Sequence, residues 1–60
     1  MTAEEQIEKR RLELTKTSGM DLMIKFNEKI YNTEDFLTHQ AVAMEMFRRL
    51  KEWDDGHLYN

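Results

Sequence analysis

The stretch TEDFLTHQAVAMEMFRRLKEW, residues 33–53, decides the fold of this 60-residue chain. Placed on a helix at 100° per residue, its apolar side chains gather on one broad side. Thr33 is a good N-cap, and Glu34 and Asp35 put negative charge where the helix dipole favours it. We therefore predict a helix over residues 34–53 and a tail over residues 54–60, beginning at Asp54-Asp55-Gly56.

The apolar side of this helix is unusually wide. It carries Phe36, Leu37, Gln40, Ala43, Met44, Phe47 and Leu50, and it is widened by Val42, Met46 and Trp53. Together they span an arc of about 220°, whereas one neighbouring helix needs an apolar face of about 100°. The remaining strip is predicted to face solvent, with ion pairs between Glu45 and Arg49 and between Arg48 and Glu52.

Two further helices are predicted before this one, over residues 3–17 and 21–31. Thr2 and Glu5 fit a capping box at the start of the first, and Ser18-Gly19 supplies a glycine stop at its end. Its apolar stripe is thin, so we expect this helix to be peripheral. We therefore expect the second and third helices to form a hairpin core.

The segment over residues 21–31 fits two templates. Alternation of Leu22, Ile24 and Phe26 suggests a strand, but the alternation fails at Glu28. A helix places the apolar side chains on one side and the charged ones opposite, and it accounts for every residue. We therefore favour the helix.

Composition limits how so short a chain can be stabilised. A domain of about 60 residues buries only about 60% of the surface that its unfolded chain exposes. There is no cysteine, which excludes disulfides and thiolate zinc sites, and there are only two histidines. We therefore expect one helical domain over residues 1–60 that gains further burial by self-association or from a partner.

The residues that could carry catalysis do not form a convincing set. Asp35 and His39 stand four apart and could face one metal ion, but a site needs at least three ligands. No cysteine nucleophile and no glycine-rich phosphate loop is present. Our interpretation is a protein without enzymatic activity, with no catalytic residue, cofactor or metal.

Charge argues against nucleic acid as the main partner. The net charge is −3, and the acidic excess lies in residues 34–60. Proteins that hold duplex DNA normally show the opposite balance. The basic positions Arg48 and Arg49 remain a possible anion contact.

These observations predict an all-α fold, either a small three-helix bundle or a helical hairpin with an accessory N-terminal helix, which forms a homo-oligomer. If the second helix covers Phe36, Ala43, Phe47 and Leu50, the surface left for a protein partner consists of Val42, Met46, Arg49 and Trp53. Tryptophan and arginine are enriched among residues that dominate binding energy.

The function we predict is that of a small regulator, an inhibitor or adaptor that acts on a larger protein. By analogy with other small acidic helical proteins, a virus or mobile element is a plausible source. One alternative is a dimeric DNA-binding transcriptional regulator, and another is an oligomer that binds a small anionic ligand at its subunit junctions. No leader or membrane-spanning pattern is visible, which favours the cytoplasm.

Overall fold

The computed structural model describes residues 1–57, and it describes side chains as far as residue 53. These residues form three α-helices and no strand: α1 (Ala3–Glu13), α2 (Gly19–Phe26) and α3 (Thr33–His57). The predicted all-α class is confirmed, including the helical interpretation of the second segment. The molecule measures 43 × 25 × 16 Å.

The first helix begins as predicted and ends earlier. The Thr2 side chain accepts a hydrogen bond from the Glu5 amide (3.2 Å), which caps α1. The predicted end at residue 17 is wrong, because α1 stops at Glu13 and the chain continues as a turn. The Thr15 hydroxyl donates to the Leu12 carbonyl (2.9 Å) and thereby stabilises this turn.

Ser18 and Gly19 start a helix and do not end one. The Ser18 hydroxyl caps α2 by accepting from the Asp21 amide (3.2 Å), and Gly19 is the first residue of α2. No described glycine has the positive φ angle of a helix-ending glycine, so the predicted glycine stop is wrong. The second helix also ends early, at Phe26, because the Asn27 side chain donates to the Met23 carbonyl (3.0 Å) and competes with further helix.

The third helix is longer than predicted at its C-terminal end. At its start Asn32, rather than Thr33, accepts from the Asp35 amide (2.8 Å). The Asp35 carboxylate in turn accepts from the Tyr31 amide (3.0 Å). The helix then continues through the Asp54-Asp55-Gly56 stretch to His57, so a tail beginning at residue 54 is wrong, and residues 58–60 lie outside the described residues.

Helix α3 is the central element. Within the described residues, α1 and α2 each pack on α3 and not on each other, and the contact made by α1 is the more extensive. The expected α2–α3 hairpin core is present in the described residues, because the buried apolar residues all belong to these two helices and α1 contributes none. The first helix nevertheless makes the larger contact with α3, so it is less peripheral than expected. The buried apolar core is small and consists of Leu22, Leu37, Ala41 and Val42.

In the part of the chain that the structure describes, no helix has the length and apolar character needed to cross a bilayer.

Candidate protein-binding surface

An apolar groove of about 540 Å³ runs between α2 and α3. We call it the groove throughout, and it is lined by Gly19, Leu22, Met23, Met46, Arg49, Leu50 and Trp53. Leu22 forms its buried floor, while Met23, Leu50 and Trp53 are more than half exposed on its walls. A contiguous apolar surface of this kind is typical of a binding site.

The structure brings together three of the four residues that were predicted to bind a partner. Met46, Arg49 and Trp53 all line the groove. Val42 does not contribute to an exposed surface, because it is 0% exposed in the core of the monomer. The prediction for Val42 is wrong, since the helices cover a different side of α3 from the one expected.

The error for Val42 comes from our expectation of which side of α3 is covered by α2. We expected α2 to cover Phe36, Ala43, Phe47 and Leu50. Phe47 is instead 67% exposed, and Phe36 and Leu50 are about half exposed. The exposed apolar surface therefore includes the groove and also the side of α3 beyond it.

A buried carboxylate on α3, that of Glu45, connects this helix to α1. Glu45 is 0% exposed, although its sequence pattern placed it in the solvent strip. Its two carboxylate oxygens accept from Arg11 of α1 (3.1 Å), from Arg48 (2.6 and 3.0 Å) and from Arg49 (3.0 Å). We call Arg11, Glu45, Arg48 and Arg49 the Glu45 network. A buried charge is tolerated when it is paired and hydrogen-bonded in this way.

Arg49 connects the Glu45 network to the end of α1. Its Nη2 atom donates to the carbonyl oxygens of Leu14 (3.1 Å), Thr15 (3.2 Å) and Thr17 (2.5 Å). Carbonyls at and beyond a helix C-terminus have no partner within the helix, and a cation suits the negative end of its dipole. Arg49 therefore fixes the turn between α1 and α2 and also forms one edge of the groove.

The network shifts the pKa values of Glu45 and Arg48. Hydrogen bonds from Arg48, with a smaller contribution from Arg49, lower the pKa of Glu45 from 4.5 to about 2, although burial opposes the shift. The same contact with Glu45 raises the pKa of Arg48 above its ordinary value. On α1, the hydrogen bond from Arg11 lowers the pKa of Glu8.

The predicted ion pairs are present within this arrangement. Glu45 pairs with Arg49 (3.0 Å) and Arg48 pairs with Glu52 (2.6 Å). Both arginines thus direct their guanidinium groups at carboxylates or carbonyls of the same chain. The possible anion contact through Arg48 and Arg49 stays a prediction.

Sequence reasoning missed several residues of this surface. Gly19, Leu22 and Met23 were assigned to a turn or to a helix face, and their pairing with Met46 and Leu50 depends on how α2 lies on α3. The central role of Glu45 was also missed. The sequence contains one indication of this role, because Glu45 lies three and four residues before Arg48 and Arg49 and can accept hydrogen bonds from both.

His39 and Asp35, which were considered as a possible pair of metal ligands, both make structural contacts. The ring of His39 stacks on Phe26, with centroids 4.3 Å apart. Asp35, the proposed metal partner of His39, instead helps to cap α3. No group of three or more possible metal ligands is found among the described residues.

Comparison of the chain with models of known protein families, with curated proteins and with solved structures finds no match.

Proposed function

We propose that this is a non-enzymatic protein that binds a larger protein through the groove and acts on it as an inhibitor or adaptor. The observation that carries the proposal is the groove itself, whose apolar walls stay open to solvent in a monomer with a very small core. Leaving such side chains exposed has no benefit for folding, because covering them releases free energy at about 25 cal/mol per Å².

The chemistry of the groove fits a protein ligand. Met23 and Met46 are flexible and can adapt to an irregular apolar partner surface. Trp53 supplies a large, rigid contact, and Arg49 lies beside it at the edge. Such a pocket with an aromatic anchor suits an amphipathic helix or an apolar loop of the partner.

DNA binding has less support as a second function. The arginines at positions 48 and 49 are engaged in the Glu45 network, and the groove beside them is apolar. Reading base edges would need exposed polar side chains on a helix that can enter the major groove of DNA.

Site-specific photo-cross-linking tests the proposal. We would replace Met23 with p-benzoylphenylalanine, irradiate cells that express the full chain, and identify cross-linked proteins by mass spectrometry. The matched control carries the same group at Lys9, an exposed position on α1.

We expect one discrete cross-linked protein from position 23, no such product from position 9, and loss of the product when Trp53→Ala is added. Equal cross-linking from both positions, or none from position 23, would contradict the proposal.

A further inference from the structure

A second apolar feature lies on α3 beyond the groove. Phe36, Gln40, Ala43, Phe47 and Leu50 follow one another at intervals of four, three, four and three residues. We call these five positions the α3 seam. This is the spacing at which helices pair in coiled coils, where apolar residues repeat every 3.5 residues on average.

The two phenylalanines of the seam are largely uncovered in the monomer. Because α1 and α2 pack on other sides of α3, Phe36 stays 48% exposed and Phe47 stays 67% exposed. Met44, beside the seam, is also about half exposed. None of the five seam positions carries a charge, so two copies of the seam can meet without repulsion.

We infer that a second copy of this chain covers the α3 seam, in an antiparallel pair of α3 helices related by a two-fold axis near Ala43. Ala43 is the middle of the five positions and has the smallest side chain, so it lets the two helices approach closely. Phe36 then faces Leu50 of the second copy, and Gln40 faces Phe47. A two-fold arrangement is the commonest symmetry of protein dimers.

Charge favours the antiparallel direction. The first turn of α3 carries two acidic residues, Glu34 and Asp35. Antiparallel packing opposes the two helix dipoles and keeps the acidic first turns of the two copies apart. Parallel packing would put the acidic first turns side by side.

The area available is close to the minimum for a specific pair. A fully covered aromatic side chain buries roughly 150–250 Å², so the exposed parts of Phe36 and Phe47 supply roughly 200 Å² per copy. With Leu50, Met44 and the smaller seam positions the total is roughly 500–600 Å² per copy, near the lower limit of about 600 Å² for stable interfaces. Leu50 belongs to both the seam and the groove, so the pair covers this one wall residue, and the six other lining residues lie outside the seam.

Sedimentation of the full chain at micromolar concentration is the first test. We expect the wild type at about twice the chain mass of 7.3 kDa, and Phe47→Glu at the mass of one chain with its helical circular dichroism retained. The matched control is Met20→Glu, which changes a 75% exposed apolar residue of α2 and should remain a dimer. A monomeric wild type, or a dimer lost with Met20→Glu and kept with Phe47→Glu, would overturn the inference.

Single cysteines give a second test that does not depend on how well Phe47→Glu folds. The chain has no cysteine of its own, so any disulfide formed with oxidised glutathione reports the introduced position. Ala43→Cys should cross-link to its copy, since Cα atoms closer than about 7 Å can be bridged.

Phe36→Cys should not cross-link, because seven residues on each side of the axis separate the two copies by about 21 Å at 1.5 Å per residue. Absence of cross-linking at position 43, or cross-linking at position 36 as strong as at position 43, would overturn the antiparallel pair.

Discussion

The α1–α3 contact contains a buried ion-pair network, whereas the surface that α2 and α3 form is apolar and open. On the first side a fully buried Glu45 is paired with Arg11, Arg48 and Arg49. On the second side Trp53 is 55% exposed at the edge of the groove. The difference separates two tasks: the polar contact fixes the fold, and the apolar surface is available for binding.

The largest effect on stability is expected from Glu45→Ala. This change leaves three arginines directed at an empty site, and we expect it to lower the free energy of unfolding by about 3 kcal/mol. Urea unfolding followed by circular dichroism measures the change. The control is Glu52→Ala, which removes an exposed ion pair with Arg48 and should cost less than about 0.5 kcal/mol. Similar losses for both variants would show that burial of Glu45 does not matter.

A smaller loss of stability is expected on the apolar side of the molecule, and only for the residue at the floor of the groove. Leu22→Ala removes a fully buried side chain and should cost roughly 2–3 kcal/mol. Met23→Ala, one position along the same helix but 57% exposed, should leave the free energy of unfolding nearly unchanged. If thermal unfolding shows the two variants to be equally destabilised, the groove wall belongs to the core.

The predictions for Glu45 and Leu22 depend on tertiary packing, and they show which features of the fold could be predicted from the sequence and which could not. Helix type and the Thr2 cap depend on local spacing and were predictable. The direction of packing was not, because the apolar arc of α3 is wide enough to accept neighbours on several sides. Burial of Glu45 depends on Arg11, which lies 34 positions earlier in the chain. No local sequence pattern predicts such a contact.

A loss of about 1 kcal/mol is expected from Arg49→Lys. Lysine keeps the charge but cannot reach Glu45 and the carbonyls after α1 together, because it lacks the planar fork of donors. Hydrogen exchange should show faster opening of the turn over residues 14–18, with little change in α3. Unchanged exchange in that turn would indicate that the bonds to Leu14, Thr15 and Thr17 do not hold it.

The last effect, from the protonation of Glu45, is absent at neutral pH and appears only in acid. Its pKa is lowered from 4.5 to about 2 in the folded protein, so its contribution to stability is complete above pH 4.5 and is lost as the pH falls towards 2. Glu45→Gln should flatten the decline in stability between these pH values, as followed by circular dichroism. Glu13→Gln, an exposed change on α1, should leave the decline as in the wild type.

The separation of folding from binding is tested most directly by measuring Trp53→Ala twice, once for affinity to the protein cross-linked from position 23 and once for thermal stability. We expect the affinity to fall by about 2 kcal/mol, as for a binding hot spot, while the melting temperature and helical spectrum stay nearly unchanged. Glu4→Ala, on the exposed side of α1, should alter neither quantity. Loss of the fold in Trp53→Ala would place the tryptophan in the core, and an unchanged affinity would show that the groove is not the binding surface.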